Sequence, residues 1–588
     1  MEMKKIISFL VIISAIVLSG CIKETFPTNY ATDAQVAKSP TAMEALVNAI
    51  PTSMIGWGNQ PSGQLEACGY PGLAIAFEDM LQDVVVAGVT GWNTWATYST
   101  MSNPTHWRQH YAWFLYYAWI KNANDIIGLI DPNTQNKVEQ HYLGVAHAFR
   151  AFYYLVLVRK FEYKFTPHAP PTDDRVYDLG VPIVTETTTE EQAKNNPRAT
   201  VEQNYEMIFA DLEIAERLLA DYTPPTKAFP SLAVVYGLYA QAYLERGTAE
   251  VSGAYENAAL YARKAINESG CTPLTLDQWH DPINGFNNAN SQNSWMWGVL
   301  ISQGNVSMFS NSYCGLNSAE QRWIVYGYRV GRSASRRFYE SIPDNDFRKY
   351  SWLDSVFYDR MDTDGNIIRP GVDSYNGFEY RLALSAEALR SEVNTQNWVT
   401  RPWIYNAIKF RPAGGVTNSR TIGGAMDHPI MRVEEMYLIE AEAVAKTQGI
   451  AQGSALLHAF MAHRYMYGTY SFTATDLQSL IDEIIFQKRV EFWGEGVLFY
   501  DSKRLKLGLN RGYRGINSSA FANTFDVPGI FPLWNCHIPE SEEQGNPALR
   551  NKRNPVPLTA TNLNLFWAKS NPELVEYYGC DLDNPDGD

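Results

Sequence analysis

The sequence predicts a mainly α protein: a degenerate scaffold of helical hairpins, interrupted by a long irregular, loop-rich insert that carries short strands. Three observations lead to this fold class. Apolar side chains recur every three or four residues through several segments, which is the period of a helix with one buried face. Two pairs of these segments follow each other closely, at residues 232–267 and 432–465. Between these pairs, residues 271–421 lose the period and are rich in Asn, Gly, Ser and aromatic residues.

The helices are predicted from their apolar spacing and from the residues that end them. Pro132 closes the first long segment, because proline cannot continue a helix. In the next segment the intervals of 3, 4, 3 and 4 residues predict an amphipathic helix, whose buried face is Tyr142, Val145, Phe149, Phe152 and Val156. The predicted helices in chain order are 107–130, 139–161, 201–219, 232–245, 255–267, 432–446, 451–465 and 476–492.

The pair of helices at 232–245 and 255–267 resembles a tetratricopeptide hairpin, since it is rich in small and aromatic residues. Ala258, Ala262 and Ala265 would let a partner helix approach closely. The intervening turn is long for such a hairpin, and the spacing between hairpins is irregular. We therefore predict a degenerate tetratricopeptide-like scaffold and not a regular solenoid.

The change in composition along the chain predicts three parts after the N-terminal segment. Residues 33–270 form an N-terminal helical, tetratricopeptide-like part, and residues 422–588 form a C-terminal part with a further hairpin. Residues 271–421 form the irregular insert, which includes a strand-like run at 295–301. Long irregular segments on a rigid frame are where binding surfaces usually lie.

The N-terminus carries an export signal. Lys4 and Lys5 precede an apolar run over residues 6–18, which is too short for a transmembrane helix of about 20 residues. The run ends in Leu-Ser-Gly followed by Cys21, which looks like the lipobox of bacterial lipoproteins. We predict a signal peptide at 1–20, a lipidated Cys21 and a lipidated tether over 21–32; the alternative is an ordinary secretory signal with an incidental cysteine.

Composition excludes several other classes of protein. The 588 residues carry 48 Lys and Arg against 63 Asp and Glu, so the net charge of −15 disfavours a phosphate backbone as partner. The cysteines that follow Cys21 are five in number, an odd count, and lack Cys-x-x-Cys spacing, so neither a disulfide scaffold nor a zinc site is indicated. The ten histidines show no ligand spacing either. We expect no metal and no cofactor.

Searches for catalytic motifs find no metalloprotease, serine hydrolase, phosphate-loop or dinucleotide signature. Glu491 and Glu495 lie one helical turn apart and are the best candidates for an acid pair of a glycosidase. Basic residues crowd the same stretch, however, so we favour a salt-bridged structural network at a helix end.

A dense cationic cluster lies inside the insert and consists of Arg329, Arg332, Arg336 and Arg337. Such arginines bind carboxylates or acidic sugars in some proteins. The alternative is pairing with the acids that follow in sequence at Glu340, Asp344 and Asp346.

Two groups of aromatic residues in polar, loop-like sequence give the sharper functional signal. Sugar rings present apolar C–H faces that stack on Trp and Tyr, while Asn and Arg bind the hydroxyl groups. We favour a ligand-binding surface over the alternative that these rings pack a local core. The predicted ligand-binding residues are Trp92, Asn93, Trp95 and Tyr98 in the first group, and Tyr313, Trp323, Tyr326 and Arg329 in the second.

The chain resembles the SusD/RagB family of outer-membrane nutrient-binding lipoproteins from Bacteroidetes over nearly its whole length. The most specific stretches are the repeat helix at 432–443 and the Lys-Arg-Val-Glu-Phe-Trp-Gly-Glu-Gly segment at 488–496, followed by Asp501 and Arg504. The family usually has Glu where Gln487 stands and often Arg where Leu498 stands. The other matching stretches are the lipobox, 122–127, 147–154, 236–266, 344–348, 555–557 and 571–572.

This resemblance implies a function without catalysis. Such proteins lie on the outer face of the outer membrane, where they cap a TonB-dependent SusC-like transporter and capture oligosaccharides for import. Peptides or other nutrients are the ligands of some members. In carbohydrate-binding members the site uses aromatic residues from the regions in which both predicted groups fall. An anchored glycoside hydrolase and a protein-binding scaffold stay as alternatives.

Overall fold

The computed structural model describes most of the chain, and the fold is reported for these residues alone. They are 33–56, 69–86, 103–167, 169, 171, 174–281, 283–284, 286, 288–289, 293–306, 318, 332–352, 405–416, 419–513, 517 and 526–555. Two units are distinguished, Met1–Leu46 and Val47–Asp588. The predicted boundaries at residues 270 and 421 stay predictions.

The described chain is mainly helical, which confirms the predicted fold class. The helices are α1 (Asp33–Ala37), α2 (Pro40–Ser53), α3 (Gly69–Glu78), α4 (Trp107–Leu129), α5 (Lys137–Phe161), α6 (Glu190–Ala193), α7 (Val201–Leu218), α8 (Leu232–Thr248), α9 (Ala254–Ser269), α10 (Leu276–Trp279), α11 (Arg336–Ser341), α12 (Arg420–Gly423), α13 (Val433–Gln448), α14 (Ile450–Met461), α15 (Leu477–Phe492), α16 (Leu498–Arg504) and α17 (Glu540–Gly545).

Short antiparallel strand pairs accompany the helices. The strands are β1 (Val84–Val86), β2 (Trp295–Val299), β3 (Arg332–Ala334), β4 (His428–Arg432), β5 (Leu509–Asn510) and β6 (Asp526–Val527). They form two-stranded sheets in the combinations β1–β3, β2–β4 and β5–β6. The pairs β1–β3 and β2–β4 join parts of the chain that are more than a hundred residues apart, whereas β5 and β6 are neighbours in sequence. Strands among the described residues therefore fasten irregular segments to the frame.

The long helices form hairpins that pack in series, as predicted. Helix α5 lies against α4 and α7, α8 packs on α9, α9 on α13, and α13 on α14. Ala258, Ala262 and Ala265 are fully buried in α9, which confirms that small side chains permit a close helix contact there. The turn between α8 and α9 is shorter than predicted, because α8 continues to Thr248.

Capping residues set where several helices begin. At α7 the Thr200 hydroxyl accepts a hydrogen bond from the Gln203 N–H at 3.1 Å, and the Gln203 side chain accepts one from the Thr200 N–H at 2.9 Å. These two bonds satisfy amides that the helix itself leaves without partners. The start of α7 therefore follows from two residues three positions apart.

Helix α5 differs from its prediction. Residues 143–161 are buried on every side, whereas Tyr142, which was assigned to the buried face, is only partly buried. The amphipathic interpretation was wrong because polar residues on the other faces are also enclosed. His147 and Arg150, for example, both bind the buried Asp211 carboxylate of α7, at 2.7 and 2.8 Å.

Among the described helices, none combines the length and the apolar character that crossing a lipid bilayer requires. Cys271 and Cys536 both carry free thiols. No group of histidine, cysteine and acidic side chains suited to a metal ion occurs among the residues that the structure describes.

Candidate functional site

The predicted ligand-binding residues and the predicted lipidation site all lie outside the described residues. They are Cys21, Trp92, Asn93, Trp95, Tyr98, Tyr313, Trp323, Tyr326 and Arg329. The assignment of these residues to a binding surface therefore stays a prediction. The structure does describe Val86, which precedes the first aromatic segment, and Arg332, which follows the second.

Strands β1 and β3 bring these ends together. Val86, the last described residue before the segment that carries Trp92, is directly opposite Arg332, the first described residue after the segment that carries Tyr326. Trp92 and Tyr326 are each six positions from their strand end, a distance of at most about 20 Å along an extended chain. Both aromatic groups are thus attached to one place in the fold.

A third segment starts and ends at the same place. Trp352 and Tyr405 are the described residues that flank positions 353–404. Trp352 pairs with Ala407, and Asn406 pairs with Ser333 of β3. The rings of Tyr405 and Tyr339 stack at 4.3 Å. We call β1, β3 and residues 405–407 the loop-anchor region.

A buried ion pair holds the loop-anchor region on the helical frame. The guanidinium of Arg332 binds both carboxylate oxygens of Asp79, at the end of α3, and both side chains are 1% exposed. The Arg332 carbonyl accepts hydrogen bonds from the Ala407 N–H at 3.1 Å and from the Asn406 amide at 3.2 Å. Since the charge is fully desolvated, loss of either partner would leave an uncompensated buried ion.

Glu78, the last residue of α3, binds this helix to the segment at 488–496. Its two carboxylate oxygens accept the N–H groups of Gly494 and Gly496 at 2.9 and 2.8 Å. Burial raises the pKa of Glu78 to about 8, although these hydrogen bonds act in the opposite direction. Both glycines have φ of +82°, a left-handed conformation that glycine adopts readily.

The predicted role of Glu491 in a structural salt-bridge network is confirmed. Its carboxylate binds Arg348, Arg432 and Arg464 at 2.9–3.1 Å, and all four side chains are fully buried. Burial alone would raise the pKa of Glu491, but Arg464, Arg432 and Arg348 outweigh that effect and lower the pKa to about 2. A carboxylate held in this state does not serve as a proton donor near neutral pH.

The second member of the candidate acid pair belongs to the same network. Glu495 binds the Lys409 ammonium at 2.6 Å and the Arg432 guanidinium at 2.8 Å. Farther along, Glu442 and Asp501 share Lys488 and Arg504 in a second buried cluster. The charged side chains that crowd residues 488–504 are therefore paired inside the protein. Glu491 and Glu495 do not form an acid pair that faces solvent.

Gln487, which departs from the family pattern, is part of the first network. Its side-chain oxygen accepts from Arg348, and its amide donates to Glu483 at 2.8 Å. A neutral acceptor suffices here because Asp346 and Glu491 already supply the negative charge around Arg348.

A polar cavity of about 200 Å³ lies where the predicted insert meets the residues that follow it, between Arg411 and Asp427. The Asp427 carboxylate accepts the N–H groups of Ile301 and Ala289 at 2.9 and 3.0 Å. Burial raises the pKa of Asp427 to about 6, against the effect of these two hydrogen bonds. Because both carboxylate oxygens bind backbone groups, we interpret Asp427 as a structural residue that holds the chain at Ile301 and Ala289 in place.

Sequence reasoning missed the acids that fasten the loop-anchor region and α3 to the frame, namely Glu78, Asp79 and Asp83, the last of which binds Arg489. A signal was present, since three acids in six residues directly precede the first aromatic segment. Their partners lie hundreds of residues downstream, so the sequence pattern alone did not identify them as anchors.

Comparisons with known proteins identify the class of protein that carries this arrangement. A family model described as starch-binding and associating with the outer membrane matches residues 37–244. The SusD family model matches residues 285–578, which is half of the chain. The chain therefore belongs to the SusD family, and the resemblance seen in the sequence is confirmed.

Solved structures share the fold. A SusD-like carbohydrate-binding protein from Bacteroides vulgatus is 22% identical, with a TM-score of 0.64 over 87% of this chain and 97% of that chain. A SusD superfamily protein from Bacteroides thetaiotaomicron is 19% identical, with a TM-score of 0.62 over 88% and 99%. A laminarin-binding SusD-like protein is also 19% identical, with a TM-score of 0.58 over 88% and 99%. Among curated proteins, none matches this chain.

Proposed function

We propose that the protein is a non-catalytic, cell-surface glycan-binding lipoprotein. It captures an oligosaccharide and delivers it to a TonB-dependent SusC-like transporter in the outer membrane, to which Cys21 anchors it through lipid. Membership of the SusD family supports the binding role, and two structural neighbours are a carbohydrate-binding and a laminarin-binding SusD-like protein.

The pairing of Val86 with Arg332 is the observation that carries the proposal. It attaches the segment with Trp92, Asn93, Trp95 and Tyr98 and the segment with Trp323, Tyr326 and Arg329 to one region of the fold. Aromatic rings from both segments therefore have the opportunity to contact one ligand. A few stacked rings, each worth about 0.5–1.5 kcal/mol, are sufficient for weak to moderate binding.

The buried charge networks support the non-catalytic part of the proposal. Glu491 and Glu495, which would be the acids of a glycosidase, are both ion-paired inside the protein. A glycosidase needs one acid with a raised pKa beside the scissile bond. The lowered pKa of Glu491 is the opposite of that requirement.

The test is a titration of the lipid-free mature protein with neutral plant, host and microbial oligosaccharides, following Trp fluorescence and new reducing ends together. We expect saturable quenching without product release. The double variant Trp92→Ala/Trp95→Ala should lose binding, whereas Phe165→Ala, which removes an exposed ring elsewhere, should keep it. Release of reducing ends would refute the non-catalytic role, and binding of peptides alone would favour a RagB-like peptide receptor.

Anchoring and transporter contact need separate measurements. A Cys21→Ser variant should move from the outer-membrane fraction to a soluble exported fraction if lipid alone holds the protein. The wild-type protein should co-purify with a large β-barrel transporter after mild detergent extraction. Membrane retention of Cys21→Ser in cells that lack the transporter would contradict the lipid anchor.

A further inference from the structure

A groove of about 230 Å³ opens beside the loop-anchor region, where β1 begins and β3 ends. Its walls include the rings of Phe338, Phe486 and Tyr513, and its charged and amide groups are Gln82, Asp83, Arg337, Arg489 and Asn510. Aromatic faces combined with amide and guanidinium groups are suited to a sugar ring that carries polar substituents.

Arg337 is the cation of this groove. Its side chain is exposed, and its guanidinium lies over the Tyr513 ring at 4.0 Å from the ring centroid. Within the described part of the chain, no carboxylate forms an ion pair with Arg337. The ring orients the planar guanidinium while its hydrogen-bond donors stay available to a ligand.

The acids near Arg337 in sequence are occupied by other cations. Glu340 binds Arg336 at 2.7 Å, Asp344 binds Lys349 at 2.6 Å, and Asp346 binds the buried Arg348. The alternative that the cluster pairs with these three acids is therefore right for Arg336 and wrong for Arg337. Arg332 pairs with Asp79 instead.

Arg489 supplies a second guanidinium, which two hydrogen bonds to Asp83 orient. Its Nε and Nη2 atoms donate to the two oxygens of Asp83 at 2.6 and 2.5 Å. The side chain is 25% exposed, and its Nη1 atom donates to none of the residues that the structure describes. Its guanidinium also lies near the Phe338 ring, 5.6 Å from the centroid.

We propose that this groove binds the carboxylate of an acidic sugar, with Arg337 as the main contact and Arg489 as a second donor. The planar fork of arginine matches a carboxylate, and a partly enclosed charge-assisted pair is stronger than a neutral one. The groove is smaller than the roughly 300–1,000 Å³ of common ligand pockets, which favours one sugar residue of a longer chain.

The position and charge of the groove agree with this assignment. Asp83 lines the groove and is three positions, about 10 Å of extended chain, from Val86, so the groove lies beside the residue after which the first aromatic segment begins. The net charge of −15 repels an acidic glycan on average, so a local cation is needed to hold one. The inference rests on the proposed function and narrows its ligand to uronate-containing glycans.

The test compares acidic oligosaccharides with their neutral counterparts by titration calorimetry on the lipid-free mature protein. The probes are galacturonan, glucuronoxylan and alginate oligosaccharides, each paired with the same chain after reduction of its carboxyl groups. We expect one acidic chain to bind about tenfold more tightly than its reduced form, and high salt to diminish the difference.

Arg337→Ala should remove this preference for the acidic chain. Arg336→Ala is the matched control, because the neighbouring arginine is also exposed but already paired with Glu340. Both variants should retain the wild-type melting temperature, since neither side chain is buried. Gln82→Ala provides a second change in the groove that leaves all ion pairs intact and should weaken binding of both chains.

The outcomes separate the groove from the proposed function. Equal binding of acidic and reduced chains, or an undiminished preference in Arg337→Ala, would overturn the groove and leave glycan binding in place. Binding only of a sulfated, carboxyl-free chain would overturn the carboxylate assignment. Binding of none of these or the neutral oligosaccharides would overturn both proposals.

Discussion

Val86 and Arg332 are cross-strand neighbours, and through them two segments that are far apart in sequence share one base. The pairing alone is small, with three residues on each strand. Its stability comes from the helical frame, because Arg332 is also ion-paired with Asp79 at the end of α3. One arginine thus joins the strand pair, the residues 405–407 and the helix into one anchor for the predicted ligand-binding loops.

Asp79→Asn should destabilise the protein and weaken ligand binding together. The substitution leaves the buried Arg332 charge without its counter-ion, which costs about 3–5 kcal/mol. Chemical denaturation measures the loss of stability, and glycan titration measures the loss of affinity at a temperature where the variant is still folded. The loop-anchor region would be unimportant for the site if affinity were unchanged in the folded variant.

Asp125→Asn serves as the control for that experiment. Asp125 binds Lys121 at 2.6 Å in an exposed pair one helical turn apart. Exposed pairs contribute little, so we expect the free energy of unfolding to change by less than about 0.5 kcal/mol.

The long helices were predictable because their signals are local. Apolar periods located α4, α5, α7, α8, α9, α13, α14 and α15, and capping residues fixed several of their ends. Helix α3 was missed, since Gly69–Glu78 is buried throughout and shows no polar face for a period to reveal. The same enclosure explains why α5 was wrongly described as amphipathic.

The loop-anchor region was not predictable from the sequence. Strands of three residues carry too little pattern to identify, and the partner of Arg332 lies in a different part of the chain. The charged segment at 488–504 was correctly predicted as a network, yet the participation of Arg348 and Arg464 was not foreseen. Local patterns predict elements, whereas contacts between distant buried charges require the folded structure.

Gly496→Ala should destabilise the protein by about 2–5 kcal/mol. The left-handed backbone at Gly496 disfavours a side chain, and a Cβ there would lie only 2.5 Å from the Cβ of Ala74 in α3. Gly270→Ala is the matched control, because Gly270 has a φ of +60° but no atom within 4 Å of the added Cβ. It should lose only about 1–2 kcal/mol. Equal losses in urea denaturation would contradict close packing of Gly496 against α3.

Glu491 should make the protein sensitive to acid. Its pKa in the folded state is about 2, below its ordinary value of 4.5, so the ionised carboxylate stabilises the fold above pH 4.5. This contribution, about 3 kcal/mol, should be lost as the pH falls from 4.5 through 2. Glu491→Gln should be less stable by about 3–5 kcal/mol at pH 7 and should lose less on acidification than the wild type.

The exposed Glu190 provides a control for the acid experiment. It pairs with Lys194 at the surface, and its side chain is 83% exposed. Glu190→Gln should follow the wild-type curve in urea denaturation between pH 7 and pH 2.5. A Glu491→Gln curve parallel to that of the wild type would show that the three arginines do not depend on the Glu491 charge.

Glu78 should make the protein less stable as the pH rises, since its pKa in the folded state is raised to about 8 from an ordinary value of 4.5. The protonated carboxyl is favoured by folding, so its contribution is complete below pH 4.5 and is lost as the pH rises through 8. The rise of the Glu78 pKa from 4.5 to about 8 corresponds to at most about 5 kcal/mol. Urea denaturation from pH 4.5 to pH 9 should show a larger fall in stability for the wild type than for Glu78→Gln, because an amide does not titrate whereas other buried acids such as Asp427 still do. If wild type and variant fell in parallel over this range, Glu78 would be ionised throughout, and its bonds to Gly494 and Gly496 would be those of a carboxylate.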